Sequence, residues 1–154
     1  MEMPKPSDAH RKLEIMLGRW AGEEKLFPSP WDAKGGTALG RVHNMRALEG
    51  FGVFHDYEQE RGGTVNFRGH AVFLFDSKQR DYTMHWFDSY GMQPNLFRGT
   101  FEGEVLTVTG PSGEGTARVR FDFREPAAHT MRMEVSQDGH RWTPFMEGRY
   151  TKQA

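Results

Sequence analysis

The 154 residues of the chain are the length of one ordinary domain, and their formal net charge of −1 is spread without a long run of like charge. This distribution excludes the basic surface typical of nucleic-acid binding and the polybasic patch that holds a protein on a membrane. The absence of cysteine excludes disulfides and thiolate metal sites, and with no signal-peptide-like or bilayer-spanning apolar run it predicts a cytoplasmic domain.

The first predicted element is a short helix over residues 7–18. Ser7 suits its N-cap, and Leu13 and Met16 lie on one apolar side before the glycine at its end. A helix of this length must pack on another element to be stable.

After the helix, apolar residues recur at every second position, as they do in β-strands. Short segments rich in Phe, Val, Thr, Tyr and Met alternate with turn-forming residues. Their short connections are typical of antiparallel neighbours. We predict ten strands, over residues 19–27, 37–48, 51–60, 64–76, 80–88, 96–102, 104–109, 115–124, 129–137 and 140–151.

This series predicts an all-β domain in which the helix precedes an up-and-down antiparallel barrel over residues 19–152. Closure of the barrel removes the edges that a long meander would expose, and the helix can close one end. A two-sheet sandwich is the alternative. Pro144 predicts a local bulge or an open edge, and a two-residue turn at Asp138-Gly139 would pair Val135 with Trp142.

The segment "LGRWAGE" (17–23) resembles the opening of the lipocalin and fatty-acid-binding (calycin) barrels, and nitrobindin-type haem barrels open similarly. In calycins this tryptophan closes one end of the barrel, which implies that role for Trp20, with Arg149 stacked on the indole. An ordered series over roughly residues 8–152 resembles the DUF1579 family of bacterial calycin-like barrels, and the family implies a fold but no established chemistry. The series consists of "HRKLEIMLGRWAGE", "LEGFGVFHDYEQE", "FRGHAVFLFDSKQRDYTMHWFDS", "LFRGTFEGEVLTVTG" and "SQDGHRWTPFMEGRYTK".

Three evenly spaced histidines form a candidate metal site. If Glu60 pairs with Val65, His55 lies opposite His70, and His85 is a diagonal neighbour on the next strand. Three imidazoles on one face could hold zinc or another divalent metal and leave a position open for water. A register slip of one residue would separate them.

The opposite face of the same strands is more apolar and is therefore predicted to face the interior. This places the histidines outside, on a face that a second copy of the chain could cover. The inward set consists of Phe67, Gly69, Ala71, Phe73, Phe75, Tyr82, Met84, Trp86 and Asp88.

Haem is a second cofactor alternative, with His129 or His140 as the axial ligand, although both histidines lie at predicted turns. Our expectation is that the chain holds no cofactor.

The favoured functional prediction is binding of a small apolar or amphipathic molecule inside the barrel. Apolar residues would line the pocket, and inward-facing charged residues would hold a polar group of the ligand. The predicted binding residues are Arg46, Phe73, Met84, Trp86, Asp88, Arg98, Phe121, Met131 and Glu147.

Two other functional classes stay open at this point. One is an enzyme that uses the cavity, with metal held by His55, His70 and His85, although no nucleophile elbow, phosphate loop or HExxH motif is present. The other is a homodimeric interaction protein with a filled barrel, for which a charge at Phe87 would weaken association.

Overall fold

The structure is a computed structural model that describes residues 1–30, 32–91, 93–113 and 115–154. One short α-helix, α1 (Asp8–Arg11), continues as a 3-10 helix (Lys12–Met16), and a 3-10 turn (Leu48–Gly50) follows the second strand. None of the helices in the described ranges has the length and apolar composition of a membrane-spanning segment. The strands are β1 (Gly18–Leu26), β2 (Gly36–Ala47), β3 (Gly52–Arg61), β4 (Thr64–Asp76), β5 (Asp81–Asp88), β6 (Asn95–Glu102), β7 (Val105–Ser112), β8 (Gly115–Glu125), β9 (Ala128–Ser136) and β10 (Thr143–Gln153).

The ten strands form a closed barrel in which each strand pairs with its neighbours in the sequence and β10 pairs with β1. All pairings are antiparallel, and the first and last strands are in register from Arg19↔Gln153 to Leu26↔Met146. The predicted fold class, an up-and-down barrel preceded by a helix, is confirmed, and the sandwich alternative is wrong.

The helical segment closes one end of the barrel. It is shorter than predicted and changes to 3-10 geometry after Arg11, but Leu13 and Met16 are buried as expected. Three side chains of the barrel hold this segment through backbone carbonyls. Trp20 Nε1 and Asn44 Nδ2 both donate to the Met16 oxygen, at 3.0 and 2.8 Å, and the Tyr82 hydroxyl donates to Ala9 at 2.6 Å.

Trp20 has the structural position that the calycin resemblance implies, buried at the closed end. The prediction that Arg149 stacks on the indole of Trp20 is wrong. Its side chain faces outward because its neighbours Gly148 and Tyr150 face the interior, and it pairs with Glu125 at 3.2 Å. Lys152 lies over the indole instead, 5.4 Å from the ring centroid.

Two bulges change the predicted registers. Glu60 does pair with Val65, but Gln59 pairs with Phe67, so Asn66 is an extra residue on β4. The bulge predicted at Pro144 is present, and the β9–β10 loop is longer than the predicted two-residue turn. As a result Val135 pairs with Thr143 and not with Trp142.

Candidate functional site

A fully buried carboxylate, that of Glu24 on β1, lies inside the barrel with an exposed fraction of 0%. The Tyr57 hydroxyl donates to it, lying 2.8 and 2.7 Å from its two oxygens, and the Tyr150 hydroxyl donates to Oε2 at 2.6 Å. Gln59 Nε2 donates to Oε1 at 3.1 Å. These four residues, which we call the Glu24 cluster, connect β1 with β3 and β10 across the interior.

Both tyrosines of the Glu24 cluster are held in their protonated, donating form. Burial, and after it the negative charge of Glu24, raises the pKa of Tyr57 far above its ordinary value of 10.0. The same two causes in the same order raise the pKa of Tyr150. Neither hydroxyl can therefore serve as a base near neutral pH, and both act as hydrogen-bond donors to Glu24.

Two glycines leave the space that the Glu24 cluster occupies. A Cβ atom on Gly40 would overlap the Glu24 carboxylate, and one on Gly148 would overlap the Tyr150 hydroxyl. Both residues are buried and belong to β2 and β10, the two strands that flank β1. The backbone is thus shaped around the polar groups of this cluster.

Large apolar side chains surround the end of the barrel opposite the helix, which we call the open end. The five mouth residues pack against the core yet stay only partly buried; they are Phe67, Trp86, Met133, Val135 and Met146. Beside them a surface pocket of about 400 Å³ is lined by Trp86, Asp88, Asn95 and Pro111 among others.

Trp86 connects this pocket with the Glu24 cluster. Its indole stacks on Phe67, fits against Gly69, donates from Nε1 to Asp88 at 2.9 Å, and lies 6.5 Å from the Tyr57 ring. Trp86 and Asp88 are therefore the predicted binding residues that adjoin the pocket.

Four further predicted binding residues face the interior but form its packed centre. Phe73 and Met84 are buried, as are Phe121 and Met131, and the rings of Phe73 and Phe121 lie 5.7 Å apart. These side chains fill the middle of the barrel. Any ligand space therefore lies toward the open end.

Three predicted polar anchors lie outside the barrel, and their assignment was wrong. Arg98 is exposed and pairs with Asp76 and Asp81 at 3.2 and 3.0 Å. Glu147 pairs with Arg132 at 2.6 Å on the outer face.

The third predicted polar anchor, Arg46, is exposed at the helix end of β2, with its guanidinium beside Gly50. For Arg98 and Glu147 the cause is strand alternation, because the inward positions of their strands belong to Phe97 and Gly148.

The three-histidine metal site does not form. The bulge after Gln59 pairs His70 with Asp56 and not with His55, so His55 points into the barrel while His70 and His85 point outward. His70 Nδ1 lies 2.6 Å from Asp56 Oδ1 on the surface. No group of three or more histidine, aspartate or glutamate residues in the described parts of the chain could hold a metal ion.

The histidines proposed as haem ligands do not fit that role. His129 is buried at the closed end, stacked on the rings of Phe123 and Tyr150 at 4.4 and 5.0 Å, with the Trp20 edge at 4.6 Å. The imidazole is 3% exposed and enclosed by these three rings, so a haem could not reach its ring nitrogens without displacing them. His140 is exposed in the β9–β10 loop, where no buried apolar surroundings enclose its imidazole.

The sequence interpretation missed all four residues of the Glu24 cluster. One signal for Glu24 was available, because β1 alternates and Trp20, already assigned to the interior, lies four positions earlier on the same face. The hydroxyl and amide donors come from distant strands, and no local pattern connects them to Glu24.

A family model described as "Protein of unknown function (DUF1579)" matches residues 5–152. The chain belongs to the DUF1579 family. The resemblance found in its motifs is thereby confirmed. A comparison with curated protein sequences finds no match.

Two solved structures share the barrel of this DUF1579 protein. Rv2717c from M. tuberculosis superposes with a TM-score of 0.72 at 13% identity, covering 96% of this chain and 99% of its own. The S-type phycobiliprotein lyase CPES from Guillardia theta superposes with a TM-score of 0.67 at 10% identity, covering 92% of this chain and 90% of its own. At these identities the likeness shows the fold.

Proposed function

We propose that this DUF1579 protein binds a small apolar or amphipathic molecule at the open end of its barrel. The mouth residues would contact the apolar part of the ligand. Trp86 and Asp88 would form the rim of the site, with the Glu24 cluster beneath it.

The observation that carries this proposal is the pocket beside the apolar side chains at the end of the barrel that the helical segment does not cover. The helix end is closed by buried Trp20, Leu13 and Met16. The open end keeps large apolar side chains partly exposed beside a pocket of about 400 Å³, and small-molecule sites typically measure about 300–1,000 Å³. CPES is named a phycobiliprotein lyase, and at 10% identity its likeness supports the barrel without carrying that activity over.

Titration with Nile red, a neutral dye whose emission rises in apolar surroundings, tests the proposal. We expect saturable binding by the wild-type chain, weakened about tenfold or more in Trp86→Ala because the largest apolar surface of the pocket is lost. Leu39→Ala is the matched control, since Leu39 is an apolar side chain on the outer face of β2 and is partly exposed.

Two results would contradict this proposal. One is the absence of saturable binding by the folded wild-type chain. The other is an equal loss in Trp86→Ala and Leu39→Ala, which would indicate adsorption to the outer surface. Native mass spectrometry of the gently purified chain would show directly whether an organic molecule co-purifies.

Self-association is a second proposal, favoured by the outer face of β5 and β6. Phe87 is 43% exposed and Leu96 is 40% exposed on this face, which also carries His85 and the neighbouring Val72 of β4. Exposed apolar patches of this kind are typical of protein interfaces.

Sedimentation velocity over a concentration series tests this second proposal. We expect a dimer that Phe87→Glu and, independently, Leu96→Glu shift toward monomer by about tenfold or more in dissociation constant, because a buried unpaired charge opposes association. The Leu96 variant separates the effect from ligand binding, since Phe87 also borders the pocket. A monomer at every concentration would refute the proposal.

A further inference from the structure

We infer that the molecule bound at the open end carries a hydrogen-bond-donating cation, such as a protonated primary amine, which the Glu24 carboxylate accepts. This inference rests on the proposed function and names the chemical class of its ligand.

The charge inside the barrel supports a cationic ligand. Glu24 is fully buried, and in the described parts of the chain it forms no ion pair. The arginines with described partners make their ion pairs at the surface, as Arg98 and Arg132 do. Burial of an unpaired charge is costly, so a ligand cation would be stabilised here and a ligand carboxylate would be repelled.

The Glu24 cluster has more acceptor positions than protons donated to them. The Tyr57 and Tyr150 hydroxyl protons are both directed to Glu24, and the Gln59 amide reaches Glu24 Oε1 and the Tyr57 oxygen, each at 3.1 Å. A carboxylate offers about four acceptor positions, and three donor groups occupy three of them. Among the described residues, the positions left over are acceptors: one on Glu24 and the Tyr150 oxygen.

Met146, one of the five mouth residues, lies directly against the Glu24 cluster. Its sulfur lies 3.4 Å from Gln59 Nε2 and 4.0 Å from the Tyr57 hydroxyl, and the residue itself is only partly buried. Because methionine is unbranched and changes rotamer easily, this side chain can move aside for a ligand headgroup.

The rim of the site also suits a cation. Trp86 and Phe67 present stacked aromatic rings, and the Asp88 carboxylate lies at the indole nitrogen of Trp86. Aromatic faces attract ammonium groups, and a nearby carboxylate adds to that attraction. A cation entering from solvent thus meets favourable groups before it reaches Glu24.

Four probes with the same octyl chain test the inference on the full wild-type chain: octylamine, octyltrimethylammonium, n-octanol and octanoate. Isothermal titration should show octylamine binding about tenfold or more tightly than octanoate, with octyltrimethylammonium weaker than octylamine because it has charge but no donor. Glu24→Gln should reduce the preference for octylamine over octanoate to about threefold or less. Glu23→Gln, at an exposed position on the same strand, should keep the full preference.

The outcomes distinguish a failure of the cationic-ligand inference from a failure of the proposed binding function. Octanoate binding as tightly as octylamine would overturn the cationic ligand and leave the binding function standing. Equal affinities for octylamine and octyltrimethylammonium would overturn the requirement for a donor. If none of the four probes binds, the proposed function fails, and the inference fails with it. The order of affinities on the wild-type chain decides the matter even if Glu24→Gln does not fold.

Discussion

Two of the seven histidines, His55 and His129, lie inside the barrel in their neutral form. Burial is the main cause that lowers the pKa of His55 from 6.5 to about 4, and burial followed by the charge of His55 lowers the pKa of His129 to about 3. His55 Nδ1 lies 2.7 Å from Asn44 Oδ1, and Asn44 in turn donates to the Met16 carbonyl of the helical segment. The neutral imidazole is therefore part of the connection between helix and barrel.

These lowered pKa values make the folded state sensitive to acid. In the unfolded chain both histidines take up a proton as the pH falls below 6.5, whereas in the folded chain they stay neutral down to about 4 and about 3. The stabilisation is complete above pH 6.5 and is lost as the pH falls from there toward these folded-state values.

We expect urea unfolding to show a free energy of unfolding lower by about 1 kcal/mol for each of the two histidines at about pH 5.5 than at about pH 7.5. His55→Gln, which can still donate to Asn44, should lose about half of this pH dependence. His140→Gln, at an exposed loop position, should keep it entirely. If the free energy of unfolding of His55→Gln depended on pH as strongly as that of the wild-type chain, His55 would not be the group that titrates.

At the residue scale, strand alternation in the sequence correctly placed Phe73, Met84, Trp86 and Phe121 inside the barrel. It could not identify Glu24 as a site residue, because a charged side chain in a strand is expected to face solvent. The three donors that make its burial tolerable come from β3 and β10, far away in the sequence. Such a network is visible only when the strands are assembled.

At the element scale, the sequence predicted all ten strands close to their observed bounds, because the strands alternate and are flanked by turn residues, whereas the helix is shorter than predicted. The pairing registers between strands were harder to predict than the strands themselves. The extra residue Asn66 has no distinctive local signal, yet it moves His55 and His70 to opposite faces of the sheet. Pro144 did indicate its bulge, since proline lacks the amide proton that a regular ladder needs.

At the scale of the whole molecule, the barrel depends on the pairing of its first and last strands. Gly22 of β1 lies at this junction, opposite Tyr150 of β10 and Gly40 of β2. A Cβ atom on Gly22 would overlap the Arg149 carbonyl and lie 2.8 Å from the Tyr150 Cα. Backbone atoms cannot turn away as a flexible side chain can, so the two strands would have to separate.

We therefore expect Gly22→Ala to lower the free energy of unfolding by about 3 kcal/mol or more, measured by urea denaturation. The matched control is Gly62→Ala in the β3–β4 turn, where a Cβ meets no atom within 4 Å and only the backbone angle φ of +59° opposes the change. That strain should cost about 1 kcal/mol. Because Gly22 also positions Tyr150, the same variant should disturb the Glu24 cluster and weaken octylamine binding, whereas Gly62→Ala should not. Equal losses of stability in the two variants would show that the junction of β1 and β10 tolerates a side chain and that closure of the barrel does not depend on Gly22.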